Sequence, residues 1–181
     1  MGPEAIYPKP RLSKNNLEHK IYAYLLRNLD ITGPNQVWCS DITYVRMEKG
    51  FLYLTVIMDW FSRKVLSREL SNTLDKSFCA RALKEALQRY GKPKIFNTDH
   101  GSQCTSKDFT DILKDNGIDI SMDGQGRVLD NIFVERLWRT VKYEEVYLKE
   151  YWKPLDAMTH LVEFLTHYHE ERPHQDRLYF K

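Results

Sequence analysis

Three acidic side chains in this sequence have the chemistry needed to bind divalent metal ions. Asp41 lies in "WCSDITYV", Asp99 lies in "NTDHGSQ" just after the apolar segment "KIF", and Glu135 lies in "DNIFVERLWRTVKYEEVY". Mg²⁺ takes oxygen ligands, and two such ions about 4 Å apart stabilise both the attacking and the leaving oxygen of a phosphoryl transfer. Three carboxylates brought together by the fold would suit such a pair of ions, whereas without metal they would repel one another.

Each acid also has an ordinary structural explanation. Asp41 fits the polar position of an alternating strand that faces solvent, and Asp59 in "IMDW" is an equally available strand acid. Asp99 stands where a strand gives way to a glycine turn, a usual position for aspartate. Glu135 fits a routine surface glutamate. The residue types alone leave both interpretations open.

Helical spacing adds two cations to the Glu135 face. Glu135, Arg139 and Lys142 are separated by four and three residues, which places them on one side of a helix. An apolar stripe adjoins them, formed by Val134, Leu137 and Val141. The arrangement suits a salt-bridged surface, and equally an acid that binds metal beside cations that bind phosphate.

The elements that must position these residues follow from hydrophobic periodicity. Three β-branched and aromatic runs joined by the short turns "EKG" and "FSR" predict consecutive antiparallel strands. The remaining pattern predicts helix, strand, helix, strand and two further helices, with Asp75 as a cap and Gly91 as the end of the first helix. The order βββαβαβα with a trailing helix predicts an α/β fold with a mixed sheet flanked by helices.

Composition predicts one ordinary globular domain. The 181 residues are 42% hydrophobic and 29% charged, and no apolar run approaches the roughly 20 residues that span a bilayer. We therefore expect a cytoplasmic protein with no membrane contact. The three cysteines form no CxxC pair, which argues against a disulfide framework or a thiolate zinc site. The basic, proline-interrupted start predicts an extended arm or linker over residues 1–35, followed by a core over 36–181.

The motifs resemble those of DDE transposases and retroviral-type integrases. The likeness rests on "WCSDITYV", on "NTDHGSQ" and on "DNIFVERLWRTVKYEEVY", with 35 residues (100–134) between Asp99 and Glu135. It is closest to the catalytic OrfB part of bacterial insertion-sequence transposases with two reading frames, and it extends from about Tyr7 to "HEERPHQ".

The resemblance implies an RNase H-like catalytic core that cuts DNA and joins its strands. It implies that Asp41, Asp99 and Glu135 are the catalytic and metal-binding residues for two Mg²⁺ ions, for which Mn²⁺ can substitute. It implies action on DNA, at element ends and target, and it matches Lys142 to the family's basic residue seven positions after the glutamate. We expect DNA contacts from four residues: Lys142, Arg139, Asn131 and Gln103. The resemblance also implies a homo-oligomer assembled on DNA. Asp130 or Asn131 is expected to cap the third helix.

The sequence departs from the family pattern at both ends, and two other functions remain as interpretations of the motifs. The family's usual N-terminal helix-turn-helix segment is missing, so we expect a separate protein or domain to recognise DNA ends, and "ERPHQDRLYFK" suggests a truncated C-terminal end. One rival function is an RNase H-like metal nuclease that does not join strands. The other is a DNA-binding transposase remnant without catalysis. For Lys142 the alternative is a surface ion pair with Glu135 or Glu145.

Overall fold

The computed structural model describes residues 22–99, 101–122 and 132–170. In these ranges the predicted order of strands and helices is confirmed. The third predicted helix differs in one respect, because its α-helical part is followed by five residues in π-helical conformation, called here the π segment. The elements are β1 Val37–Arg46, β2 Phe51–Asp59, β3 Val65–Ser71, α1 Ser77–Tyr90, β4 Ile95–Thr98, α2 Lys107–Asp115, β5 Asp119–Met122, α3 Ile132–Val141, the π segment Lys142–Val146 and α4 Pro154–Glu170.

The five strands form one mixed sheet in the order β3-β2-β1-β4-β5. The first three strands are antiparallel neighbours, whereas β4 pairs with β1, and β5 with β4, in parallel. In the parallel ladder Trp38 is opposite Phe96 and Ser40 is opposite Thr98. In both strands the last residue paired in this ladder is followed directly by an acid: Asp41, where β1 continues along β2, and Asp99, after the end of β4.

Both faces of the sheet are covered by helices. In β2, Val56 and Met58 face a core shared with α3, the π segment and α4, whereas Ile57 faces a second core shared with α1 and α2. Cys39 belongs to the first core. Because side chains alternate along a strand, Asp41, two residues further on, is directed to the same face as α3.

Side-chain caps fix where the helices before and after β4 begin. Asp75 Oδ1 accepts hydrogen bonds from the backbone N–H groups of Ser77 (2.7 Å) and Phe78 (3.3 Å), so the predicted capping role is confirmed. The helix ends at Gly91, where φ is +79°. Ser106 caps α2 by accepting from the backbone N–H of Phe109.

The described part of the expected arm, residues 22–35, contains no helix or strand. Its beginning lies against β5: the backbone N–H of Tyr22 donates to Met122 Sδ at 3.4 Å, and that of Leu25 donates to Ser121 Oγ at 3.1 Å. Leu26 is buried. The residues before Tyr22 and those after position 170, including the expected C-terminal truncation, lie outside the described ranges. No helix within those ranges is long and apolar enough to cross a membrane.

Candidate active site

Asp41 and Asp99 meet at one end of the sheet. Neighbouring strands lie about 4.8 Å apart, and the register places the two acids one residue beyond the Ser40–Thr98 pair. Both line a pocket of about 140 Å³. Its other lining residues are Ile42, Tyr44, Leu74, Gly101, Gln103 and Cys104. The pairing of β1 with β4 thus brings together two of the three acids singled out in the sequence.

Two hydrogen bonds hold the Asp41 carboxylate. The backbone N–H of Ile42 donates to Oδ1 at 2.8 Å, and the indole N–H of Trp138 donates to Oδ2 at 2.8 Å. Both bonds favour the ionised form, yet burial, together with the negative charges of Asp99 and Glu135, raises the pKa of Asp41 to about 6. Asp41 is therefore an acid that the fold orients and at the same time makes harder to ionise.

Asp99 is held by the turn that follows it. The backbone N–H of Gly101 donates to Asp99 Oδ1 at 2.9 Å. A Cβ atom at position 101 would lie 2.8 Å from the same oxygen, so glycine leaves the space that the carboxylate occupies. The glycine that made Asp99 look like an ordinary turn residue thus also sets the position of its side chain.

Glu135 extends from the first turn of α3, the helix that covers the Asp41 face of the sheet. The helix packs through the buried residues Val134, Leu137, Trp138 and Val141, whereas Glu135 is exposed. Its charge acts on Asp41, because it is one of the causes that raise the pKa of that acid. Glu135 does not line the pocket that Asp41 and Asp99 share. Within the described ranges no three His, Cys, Asp or Glu side chains are close enough together to hold a metal ion.

Asp59, the other acid in a strand, forms hydrogen bonds with the turn that follows β2. It is buried, with 2% of its surface exposed. Its Oδ1 accepts from the backbone N–H of Asn35 at 3.0 Å, and its Oδ2 accepts from the backbone N–H and the hydroxyl of Ser62 at 2.9 and 2.8 Å. The carboxylate therefore stabilises the connection between β2 and β3, and Asp59 does not line the pocket of Asp41 and Asp99.

Arg139 in α3 and Lys142 in the π segment have no ion-pair partner within the described ranges. Arg139 is exposed and Lys142 is half-buried at the start of the π segment. Glu145, an alternative partner for Lys142, is buried and bound elsewhere: it accepts from Tyr151 Oη and pairs with Lys149 Nζ, both at 2.9 Å. The ion pair considered for Lys142 with Glu145 is therefore absent, and Lys142 has no partner among the described residues that would prevent it from meeting a phosphate.

The remaining predicted contact residues have different positions. Gln103 is buried beside Asp99 in the shared pocket, and its Nε2 lies 3.4 Å from the carbonyl oxygen of Leu74. Asn131 and Asp130 lie outside the described ranges, so the cap expected at the start of α3 stays a prediction.

Sequence reasoning missed Trp138. It lies beside the apolar stripe of α3 and three residues after Glu135, but nothing in its spacing shows that its indole reaches a carboxylate 97 positions earlier in the chain. A usable signal existed, since a buried tryptophan normally has a hydrogen-bond acceptor for its N–H.

The sheet order, the helices on both faces and the two acids just beyond the β1–β4 ladder define an α/β domain of the RNase H-like class. Two family models, both described as integrase core domain, match residues 31–127 and 116–176. The chain belongs to the integrase core domain family, and the resemblance seen in the motifs is confirmed.

The relatives agree with this assignment. The chain is 37% identical to the transposase InsF for insertion sequence IS3A of Escherichia coli strain K12 over 135 residues, which is 74% of this chain and 44% of that protein. It thus spans less than half the length of that relative.

Solved structures give the same fold. A chain of the simian T-cell lymphotropic virus intasome in complex with PP2A regulatory subunit B56 gamma superposes with a TM-score of 0.67 at 24% identity, covering 90% of this chain and 58% of that one. The HTLV-2 integrase catalytic core domain in complex with magnesium gives a TM-score of 0.50 at 28% identity, over 60% of this chain and 68% of that one. The predicted α/β fold is confirmed.

Proposed function

We propose that this chain is the catalytic core of an insertion-sequence transposase, which cuts DNA strands and joins them to a target in a metal-dependent reaction. The observation that carries the proposal is the placement of Asp41 and Asp99 just beyond the last pair of the parallel β1–β4 ladder, in one pocket. Membership of the integrase core domain family and the similarity to an insertion-sequence transposase support it.

Asp41, Asp99 and Glu135 are the proposed metal ligands and catalytic residues. Their donor set fits Mg²⁺, because it consists of carboxylate oxygens, and Mn²⁺ accepts the same ligands. The thiol nearest to the acids, Cys104, is buried, and the pKa of this thiol is raised by a hydrogen bond to Cys79 and by burial. The magnesium complex of the HTLV-2 integrase catalytic core domain supports the same choice of metal. When bound, two Mg²⁺ ions activate water or a 3′-hydroxyl and stabilise charge on the reacting phosphate.

The chain's own residues contribute orientation and charge. Hydrogen bonds from Ile42 and Trp138 fix the Asp41 carboxylate, and the Gly101 N–H fixes that of Asp99. Arg139 in α3 and Lys142 at the start of the π segment supply two positive charges that attract the DNA backbone. Such positioning and electrostatic stabilisation supply most of the catalysis in phosphoryl transfer.

The substrates and partners belong to the same proposal. We expect the chain to act on element ends and on target DNA, to assemble as a homo-oligomer on that DNA, and to depend on a separate helix-turn-helix protein or domain to recognise the ends. Of the expected DNA contacts, Gln103 is buried in the wall of the pocket, whereas Arg139 is exposed.

A strand-transfer assay tests the function. Labelled duplexes ending in the DNA that flanks the coding segment are incubated with supercoiled target and Mg²⁺ or Mn²⁺, with EDTA as the blank. We expect 3′-end cleavage and joined products that disappear in Asp41→Asn, Asp99→Asn and Glu135→Gln. Asp119→Asn is the matched control, because Asp119 is exposed and lies opposite Ile95, at the other end of the β4 ladder.

Other outcomes identify the rival functions. Cleavage of RNA–DNA hybrids or junctions without joined products would indicate a metal nuclease. Metal-independent DNA binding with neither cleavage nor joining would indicate a non-catalytic remnant. Full activity in Asp99→Asn would remove Asp99 from the site and leave Asp130, outside the described ranges, as the next acid to test.

A further inference from the structure

We propose that Trp138 is a positioning residue that ties the Asp41 carboxylate to the helix that carries Glu135. The inference rests on the proposed function, since it assigns Trp138 a task in preparing Asp41 for metal. It goes beyond that function in naming a neutral side chain on α3 as the group that sets the orientation of a ligand on β1.

The contact joins two distant parts of the chain at the site itself. Trp138 is buried, with 7% of its surface exposed, and its Nε1–H donates to Asp41 Oδ2 at 2.8 Å. The other oxygen, Oδ1, accepts from the Ile42 N–H, also at 2.8 Å. With one donor on each oxygen, from a strand and from a helix, rotation of the carboxylate about its Cβ–Cγ bond is blocked.

The two hydrogen bonds leave capacity for a cation. A carboxylate has about four lone-pair sites, and the two donors use one on each oxygen. Each oxygen of Asp41 therefore keeps a second site. Oxygen ligands of Mg²⁺ are required at near-ideal octahedral positions, so a carboxylate with a fixed orientation binds better than one that must be ordered on binding.

The chemical nature of the donor also matters. A lysine or arginine in this position would form an ion pair with Asp41 and compete with the metal for its charge. The indole N–H is neutral, so it orients the carboxylate and leaves its negative charge available. The bond also satisfies the indole N–H, which would otherwise be buried without a hydrogen-bond acceptor.

Trp138 also links two candidate ligands. It lies three residues after Glu135 in α3, and the helix is anchored on the sheet by Val134, Leu137 and Val141. A shift of α3 that moved Glu135 would therefore stretch the bond between Trp138 and Asp41. The same turn of helix thus carries one ligand and orients another.

Metal binding by Trp138→Phe tests the role directly. Phenylalanine keeps an aromatic six-membered ring and removes the donor together with the five-membered ring of the indole, and Trp152→Phe is the matched control because Trp152 is 68% exposed. Loss of a hydrogen bond to a metal ligand typically weakens metal binding 10–100-fold. Titration calorimetry with Mn²⁺ should show a loss in this range for Trp138→Phe and wild-type affinity for Trp152→Phe. The activity that Trp138→Phe loses at a low metal concentration should return at a saturating one. The variant should therefore need more metal than the wild type but reach the same maximal rate.

A second measurement does not depend on the folding of Trp138→Phe. In ¹⁵N spectra the Trp138 indole N–H resonance should move in Asp41→Asn and on addition of Mg²⁺, whereas the Trp152 resonance should not. A resonance insensitive to both changes, or wild-type Mn²⁺ affinity in folded Trp138→Phe, would overturn this inference alone. Failure of the wild-type chain to bind Mn²⁺ would overturn the proposed function and this inference with it.

Discussion

Asp41 should make the stability of the metal-free protein depend on pH in a direction opposite to that of most carboxylates. Burial and the charges of Asp99 and Glu135 raise its pKa from the ordinary value of 3.8 to about 6. The folded state therefore holds this proton more tightly than the unfolded state. Its contribution to stability is complete below pH 3.8 and is lost as the pH rises through 6.

The magnitude follows from the shift. One pKa unit corresponds to about 1.4 kcal/mol, so a shift of about two units corresponds to roughly 3 kcal/mol. Part of this loss of stability occurs below pH 4, where the Asp41 carboxyl of the unfolded chain already begins to ionise. Roughly 2.5 kcal/mol remains between pH 4 and pH 8.

Urea unfolding of the wild type and of Asp41→Asn, in EDTA, isolates this contribution. Asparagine has one acceptor oxygen for the two donors, Ile42 N–H and Trp138 N–H, so the variant carries a constant penalty of about 1–3 kcal/mol. Subtracting the two free energies of unfolding removes the titration of the other groups. The difference, variant minus wild type, should rise by roughly 2.5 kcal/mol from pH 4 to pH 8. A difference that stays constant within about 0.5 kcal/mol would refute the reasoning.

Three further substitutions should have distinct effects. Gly101→Ala should weaken Mn²⁺ binding roughly 10-fold or more in calorimetry while the melting temperature changes little, because the new Cβ would displace the Asp99 carboxylate without left-handed backbone strain. Unchanged affinity would show that the carboxylate has room to move. Lys142→Ala should weaken DNA binding for all sequences and flatten the log–log salt slope by roughly 1, whereas Lys84→Ala, on the opposite face of the sheet, should not. An unaltered salt slope in Lys142→Ala would show that Lys142 does not contact a phosphate. Asp59→Asn should cost about 2 kcal/mol in urea unfolding, since it disrupts bonds to buried donors, yet leave Mn²⁺ affinity intact; lost affinity would contradict its purely structural role.

The strands and helices were predictable because their signals are local. Alternating and helical periodicities depend only on neighbouring residues, and turn and cap residues such as Asp75 and Gly91 act within a few positions. The nearness of Asp41 and Asp99 is not local. It follows from the parallel pairing of β1 with β4, which no periodicity encodes, and the family resemblance supplied that information in advance.

The π segment shows where helical periodicity fails. At roughly 100° per residue an α-helical period would keep Glu145 in line with Val141 on the core face but would turn Val146 about 100° away from it, yet both are buried. Glu145 is drawn inward by Tyr151 and Lys149, whose positions depend on the later chain. The wider turn, with the Tyr147 N–H bonded to the Lys142 carbonyl at 2.8 Å, accommodates both residues.

Asp41 and Asp59 show why the sequence could not choose between strand acids. Both lie on interior strands of the sheet, Asp41 between Ser40 and Ile42 and Asp59 between Met58 and Trp60. Asp59 accepts three hydrogen bonds from the turn it stabilises, and its position is explained by the fold alone. Asp41 accepts two and lies beside two other acids that disfavour its charge, so the fold alone gives no reason for a carboxylate there. Residues that lower stability in this way are expected at functional sites. Under the proposed function a bound cation would reverse the sign of the local field at Asp41 and would turn a destabilising acid into a ligand, which is the reason we propose for its place beside Asp99.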